Sequence, residues 1–210
     1  MIQPRFIAPT KDYSGYIFDC DGTLVDTMKL HHRAWCSALS QAGATFEFSW
    51  EVFIKRAGMT LERTVSELNL EFNVAFDPLH VASAQREYYD LLVSEAEPVV
   101  PVVEFARELR ARGKKLAVAS GSQKRAVLAA LEQVKVRDWF EVIITPEDVS
   151  HGKPSPESFL LAAERIGVSP AECLVIEDGE MGFEAARRAG MDYAVVLPEA
   201  PSSREVLTSL

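Results

Sequence analysis

Residues 16–27, YIFDCDGTLVDT, place two carboxylates, Asp19 and Asp21, one residue apart where an apolar run stops. Such a run reads as a strand buried on both faces, and its C-terminal end is the edge of an open α/β sheet where ligands bind. Two ionised acids about 4 Å apart repel by roughly 4 kcal/mol at an effective dielectric of 20. A metal ion, a lysine or a shared proton must offset that. Further polar residues follow other apolar runs: Ser120-Gly121-Ser122, then Lys153 in GKPSPESF, then Glu177-Asp178. Acids, hydroxyls, one lysine and helix N-terminal amides suit a phosphate group together with a divalent cation, and hard oxygen ligands favour Mg²⁺. Lys153 and the amides near Gly121 and Ser122 would hold phosphate oxygens. A free carboxylate has a pKa of about 3.9, so Asp19 would be ionised and able to attack phosphorus. Asp21 could protonate the leaving alkoxide and later take a proton from water.

These groups need a sheet to bring them together. The first strand ends at Asp19, and further strands are expected at Lys115–Ser120, Val142–Thr145, Cys173–Asp178 and Tyr193–Leu197. Helices are expected between them at Pro101–Arg112, Lys124–Val134, Pro156–Ile166 and Gly182–Ala189, three of them stopped by Gly113, Gly167 and Gly190. Ser155 is the expected N-cap before Pro156. Residues 29–97 show no strand pattern. There the apolar spacing predicts helices from Met28 to Leu39 with a stop at Gly43, at Trp50–Arg56, at Leu61–Leu70 and at Leu79–Ser94. Asp26 is the expected cap of the first of these. Strands separated by helices give a parallel sheet with right-handed crossovers. The fold class is therefore α/β, a Rossmann-like parallel sheet core made from residues 1–28 and 98–210, with an all-helical block, 29–97, inserted in it.

The bulk numbers narrow the partners. At 210 residues, 48% hydrophobic and 25% charged, the chain is ordinary for a globular protein. Its net charge of −9 argues against nucleic acid, which calls for a basic face, and against an anionic membrane surface. No run of eighteen apolar residues is present, and Met1–Thr10 lacks a secretory signal core, so the expected place is the cytoplasm. Three widely spaced cysteines, Cys20, Cys36 and Cys173, read as reduced, buried small hydrophobes. A monomer is the default expectation.

FDCDGTLVDT, AVASGS, GKPSPESF and VIEDGEMGFEAARRAGM, in this order and spacing, resemble the four motifs of the haloacid dehalogenase superfamily. The match runs over nearly the whole chain and is similar to the branch that holds β-phosphoglucomutase and sugar-phosphate phosphatases. The resemblance implies a nucleophile at Asp19, an acid/base at Asp21, a phosphate-binding hydroxyl at Ser120 and the lysine at Lys153. It implies Mg²⁺ contacting Asp19, the backbone carbonyl of Asp21, and the acids Glu177 and Asp178, with Glu177 either a direct ligand or one step removed. The helical insert resembles a mobile cap, in which LHHRAW and RAGMTLERT correspond to the hinge-proximal helix and the substrate loop. His31 then sits near the leaving oxygen, or is a packing histidine; His32 is expected to be exposed. Arg56 and Arg63 are expected as surface charges of cap helices, with reading of the substrate from the cap as the alternative for both and Arg63 the site candidate. Two departures stand out. Gly179 replaces a serine of many relatives, and Leu61 stands where the mutase has an arginine for a second phosphate. Together with AEPVVP, the small residue at 179 resembles bacterial fructose-1-phosphate phosphatases. The implied activity is Mg²⁺-dependent hydrolysis of a small phosphorylated metabolite. A β-phosphoglucomutase-type isomerase, a haloacid dehalogenase and a non-catalytic binding module are the alternatives.

Overall fold

A computed structural model describes residues 5–197. The parts of the expected core at 1–4 and 198–210 lie outside the described residues. Among the described residues the strands are β1 (Arg5–Phe6), β2 (Gly15–Phe18), β3 (Val25–Asp26), β4 (Glu97–Pro98), β5 (Lys115–Ala119), β6 (Val142–Ile144), β7 (Cys173–Glu177) and β8 (Asp192–Leu197). The α-helices that join these strands are α1 (Met28–Gln41), α2 (Trp50–Ile54), α3 (Leu61–Phe72), α4 (Pro78–Leu92), α5 (Val100–Ala111), α6 (Lys124–Gln133), α7 (Glu157–Ile166) and α8 (Glu180–Arg188).

The main sheet has the order β1-β8-β7-β2-β5-β6. Five strands are parallel, and β1 adds an antiparallel edge to β8. β2 is central, with Ile17 in register with Ala117 on one side and Val175 on the other. From β2 the chain builds outward through β5 and β6, then returns to the other side as β7 and β8. The strand order reverses at β2, which makes the C-terminal end of β2 the topological switch point where such sheets bind ligands.

Alternation of side chains along the strands explains the two layers of helices. Tyr16, Phe18, Leu116, Val118, Leu174 and Ile176 pack with Val102, Ala106 and Leu109 of α5 and Val127, Ala130 and Leu131 of α6. On the opposite face, Ile17, Ala117, Ala119 and Val175 pack with Phe159, Ala162 and Ala163 of α7 and Ala185 and Ala186 of α8. Fully burying a large apolar side chain of this kind contributes about 1.5–3 kcal/mol.

Helices α1–α4 have a core of their own, formed by Trp35, Leu39, Phe48, Phe53, Val65, Leu68 and Val81. Their starts carry the caps that sequence rules favour: Ser49, Thr60 and Asp77 accept from backbone amides, and Pro78 opens α4. The chain enters and leaves this block side by side, because β3 and β4 pair antiparallel, Asp26 opposite Glu97 and Val25 opposite Pro98. Among the described residues no helix is long and apolar enough to cross a membrane.

Several local expectations are corrected. The N-cap of α1 is Thr27, which makes no side-chain cap hydrogen bond, whereas Asp26 lies in β3. Pro156, not Ser155, occupies the N-cap of α7, although the Ser155 hydroxyl still accepts from the Glu157 amide at 3.4 Å. α8 begins at Glu180, two residues before the expected start, since Gly182 is tolerated inside its first turn. β1, β3 and β4 are two residues each, too short to show a periodicity. Cys20 and Cys173 are buried but Cys36 is exposed. His32 is half-buried, hydrogen bonded to the Phe48 carbonyl at 2.9 Å and stacked on the Phe48 ring.

Candidate active site

Asp19 follows β2 directly, and its amide donates to the Ile176 carbonyl of β7 at 2.9 Å, so the sheet ladder fixes its backbone. The chain then turns tightly: the amides of Leu24 and Val25 both donate to the Cys20 carbonyl at 3.0 Å. Gly22 sits in this turn at φ +80°, and a Cβ there would fall 2.3 Å from a carboxylate oxygen of Asp178. Only glycine allows both the backbone angle and that approach. Gly182 has the same relation to Glu177, whose carboxylate would lie 2.1 Å from an added Cβ.

The strand ends converge as the parallel sheet requires. Lys153 donates to Asp19 Oδ1 and to Glu177 Oε2, both at 2.6 Å, and the three side chains are only 5–8% exposed. Glu177 Oε1 accepts from the amides of Asp178 and Gly179, each at 3.2 Å. Thr23 donates to Asp178 Oδ1 at 3.3 Å. Carboxylate oxygens of Asp19, Glu177 and Asp178 lie within 4.8 Å of one another. Three acids thus face one ammonium. Burial, followed by repulsion from Glu177, pushes the Asp19 carboxyl well above its ordinary range despite Lys153. Burial and the charges of Glu177 and Asp19 do the same to Asp178. Burial alone would lower Lys153, but Asp19 and Glu177 hold it protonated. The cluster is short of positive charge and rich in hard oxygen donors, and a divalent cation fits both conditions.

Asp21 lives in different surroundings. Its carboxylate is outside that cluster and accepts from Thr27 Oγ1 at 2.6 Å and Ser120 Oγ at 3.3 Å, with His31 Nε2 at 3.2 Å. Burial pushes this carboxyl up, but the contact with His31 and hydrogen bonds from neighbouring hydroxyls prevail and hold it well below its usual range. His31 is itself held from α4. Tyr89 stacks on its ring with centroids 4.0 Å apart, and Gln85 Nε2 is 3.4 Å from its Nδ1. An amide nitrogen only donates, so with this amide orientation Nδ1 accepts and Nε2 carries the proton toward Asp21.

Ser120 follows β5, and its hydroxyl accepts the Ser122 amide at 3.0 Å, shaping the turn into α6. The N-cap of that helix is Gln123. Glu147 accepts the Lys124 amide at 3.1 Å, fixing the start of the helix from the β6 side.

A cavity of about 340 Å³ lies over these groups. Asp19, Asp21, His31, Gly121, Ser122, Lys153, Glu177 and Asp178 line it, and α2–α4 with their loops close the other side. Ser120 is reached through Asp21 and does not line it. Arg63 does not line it either: it is exposed on α3, with Nε donating to Glu67 at 3.3 Å. A helix start capped by Thr60 turns position 63 outward. Arg56, expected on the surface, is buried on the cavity wall and donates to the Val52 carbonyl at 2.8 Å and to Glu71. Arg86, Tyr89 and Gln85 of α4 also line the cavity and carried no motif in the sequence, though Gln85 and Tyr89 lie one helical turn apart and share a face. Arg125 of α6 pairs with Asp90 of α4 at 2.7 Å, joining the sheet side to the helical side at the cavity.

A family model described as haloacid dehalogenase-like hydrolase matches residues 13–190. A fructose-1-phosphate phosphatase of Escherichia coli is 35% identical over 182 residues, 86% of this chain and 94% of that one. A phosphorylated carbohydrates phosphatase of Thermotoga maritima is 30% identical over 186 residues, 86% of this chain and 84% of the relative. Among solved structures, CbbY of Rhodobacter sphaeroides in complex with phosphate superposes with a TM-score of 0.77 at 25% identity, covering 86% of this chain and 84% of that chain. With its acids, lysine and hydroxyls gathered at the switch point, this chain belongs to the haloacid dehalogenase-like hydrolases.

Proposed function

We propose that the chain is a Mg²⁺-dependent phosphatase that hydrolyses a small sugar-phosphate monoester through a phosphoaspartate on Asp19. The observation that supports it most is the divergence of two acids two residues apart. Asp19 faces Lys153 and the acidic cluster, whereas Asp21 faces Thr27, His31 and Ser120. Environments that differ so much suit different roles.

In this reading an Asp19 oxygen attacks phosphorus, the bond to the sugar oxygen breaks, and Asp21 delivers a proton to that oxygen. A water then gives a proton to Asp21 as its oxygen attacks phosphorus, releasing inorganic phosphate and restoring Asp19. The contacts around Asp21 favour its ionised form, which suits the second half; to donate a proton in the first half it must relinquish some of them. Lys153 and the Gly121 amide at the cavity hold the transferring group, while Ser120 shapes the turn that presents Gly121 and bonds Asp21. Mg²⁺ would be held by Asp19 and Asp178, with Glu177 and the Asp21 carbonyl beside them, and would supply the positive charge that lets two anions meet. Glu177 already spends one oxygen on Lys153 and the other on two amides, so orienting Lys153 is its principal part. Residues 29–97 act as a cap domain on a core of 1–28 and 98–210, with the β3–β4 pair as the crossing. The place of action is the cytoplasm and the working unit a monomer.

A monophosphate is favoured over a bisphosphate. Among the described residues, each arginine lining the cavity has an acidic partner: Arg56 with Glu71 and Arg86 with Glu62 on the helical side, and Arg125 of α6 with Asp90. Leu61 also lines the cavity and offers no charge. A second phosphate would meet no unmatched positive group there, which disfavours the mutase reading. Hydrolysis of p-nitrophenyl phosphate with and without Mg²⁺, followed by a screen of phosphorylated sugars, tests the proposal. Metal-dependent phosphate release is expected; activity untouched by chelation, or sugar-phosphate isomerisation without free phosphate, would sink it.

A further inference from the structure

The reach of Lys153 raises a question its own contacts do not answer: what holds its loop in place. Residues 150–156 run without regular structure between Val149 and α7, yet the ammonium must arrive within 2.6 Å of two buried carboxylates. Glu157, the first residue of α7, supplies a brace. Its Oε1 accepts the Ser150 amide at 2.7 Å and its Oε2 accepts the His151 amide at 2.9 Å. One carboxylate thereby joins the start of the loop to its end. The His151 ring also faces Oε2 at 3.3 Å, but this histidine is largely exposed. Beside this brace, the Ser155 amide donates to Gly152, Arg188 reaches the Pro154 carbonyl at 3.4 Å, and the Lys153 ammonium lies 4.9 Å from the centre of the buried Phe159 ring. The Ser150 amide leads the contacts that hold the Glu157 carboxyl below its ordinary range, so it stays an acceptor at both oxygens.

We infer that Glu157 is a positioning residue for Lys153, bracketing residues 150–157 so that the ammonium meets Asp19 and Glu177. The inference rests on the reading of Lys153 as the lysine that serves the phosphate site. Glu157 touches neither Asp19 nor the cavity and acts only through the loop. Glu157→Gln keeps the shape but one accepting oxygen, so one of the two amides loses its partner. A displacement of the order of 1 Å at a catalytic group costs up to about a hundredfold in rate.

The test uses the full chain with Mg²⁺ and two probes, p-nitrophenyl phosphate turnover and inorganic phosphate affinity by calorimetry. Glu157→Gln, Lys153→Ala and the double variant are each measured below their own melting transitions. Glu157→Gln is expected to lower kcat by roughly tenfold to a hundredfold with a smaller change in KM. It should also weaken phosphate binding in the wild-type background but add nothing to Lys153→Ala. Glu157→Asp, which keeps the charge on a shorter arm, should recover part of the loss. Wild-type kcat in Glu157→Gln, or an equal loss of phosphate affinity with and without Lys153, overturns the inference while leaving the function of Lys153 intact. Full activity in Lys153→Ala overturns the reading of Lys153 itself, and this inference with it.

Discussion

Asp19 and Lys153 lie 134 residues apart in the chain and meet through a 2.6 Å hydrogen bond in which the ammonium donates to the carboxylate. Both are buried, and Glu177 shares the same ammonium. Removing one partner of a buried pair leaves an uncompensated charge, which costs about 3–5 kcal/mol. Lys153→Met should therefore melt well below the parent protein in chelator. Mg²⁺ should restore part of that loss, since a ligand bound only to the folded state stabilises it by about 2.7 kcal/mol at a hundredfold excess over its Kd. Thermal melts with and without Mg²⁺ check this. Equal melting of variant and parent in chelator would contradict it.

Two glycines have no room for a side chain. Gly182→Ala would press a methyl group into the Glu177 carboxylate, and Gly22→Ala would do the same to Asp178 from a positive φ. Overpacking of this kind typically costs about 1–3 kcal/mol. Each variant should lose stability of that order and lower kcat at least tenfold, Gly182→Ala through Lys153 and Gly22→Ala through weakened Mg²⁺ affinity. Steady-state kinetics over a Mg²⁺ titration separates the two.

Thr27→Val removes the 2.6 Å hydrogen bond to Asp21 at nearly constant shape. That bond favours the ionised carboxylate, so its loss raises the Asp21 pKa from its present low position. The acid limb of the kcat profile against pH should move to higher pH in the variant. An unchanged acid limb would show that Asp21 does not govern it.

At the far end of the sheet Asp12 accepts from Lys114 at 2.7 Å, Arg112 at 2.8 Å and the Tyr16 hydroxyl at 3.0 Å. The Lys114 bond leads in lowering its pKa from 3.8 to about 2. A depressed folded pKa means stability that is complete above the unfolded value and fades as pH falls through the folded one. Asp12→Asn should be less stable than the parent above about pH 4, with the gap closing toward pH 2 in acid unfolding curves.

Much of this was legible in the chain. The strand-helix alternation after Pro98 and the buried run ending at Asp19 set the sheet, and parallel topology alone obliges Asp19, Ser120, Lys153 and Asp178 to share one edge. The helical side was less legible. Periodicity finds the apolar face of a helix but not which polar residues look across a gap at another element. Arg56 and Arg63 read alike, as surface charges that could also reach the substrate, yet Arg63 is exposed beside Glu67 and Arg56 is buried. Gln85 and Tyr89 act on His31 from a helix 54 residues away, a relation that only packing reveals. The Glu157 brace lies inside the GKPSPESF stretch, yet as a helix-starting acid it has no distinguishing mark.

Whether Asp19 carries the phosphoryl group is open to direct measurement. The protein is quenched in acid during turnover of p-nitrophenyl phosphate with Mg²⁺, and its peptides are weighed by mass spectrometry. One phosphoryl group is expected on the peptide containing Asp19, absent without Mg²⁺ and absent in Asp19→Asn, which should turn over no substrate. Sustained turnover by Asp19→Asn, or a phosphoryl group found on another residue, would contradict it.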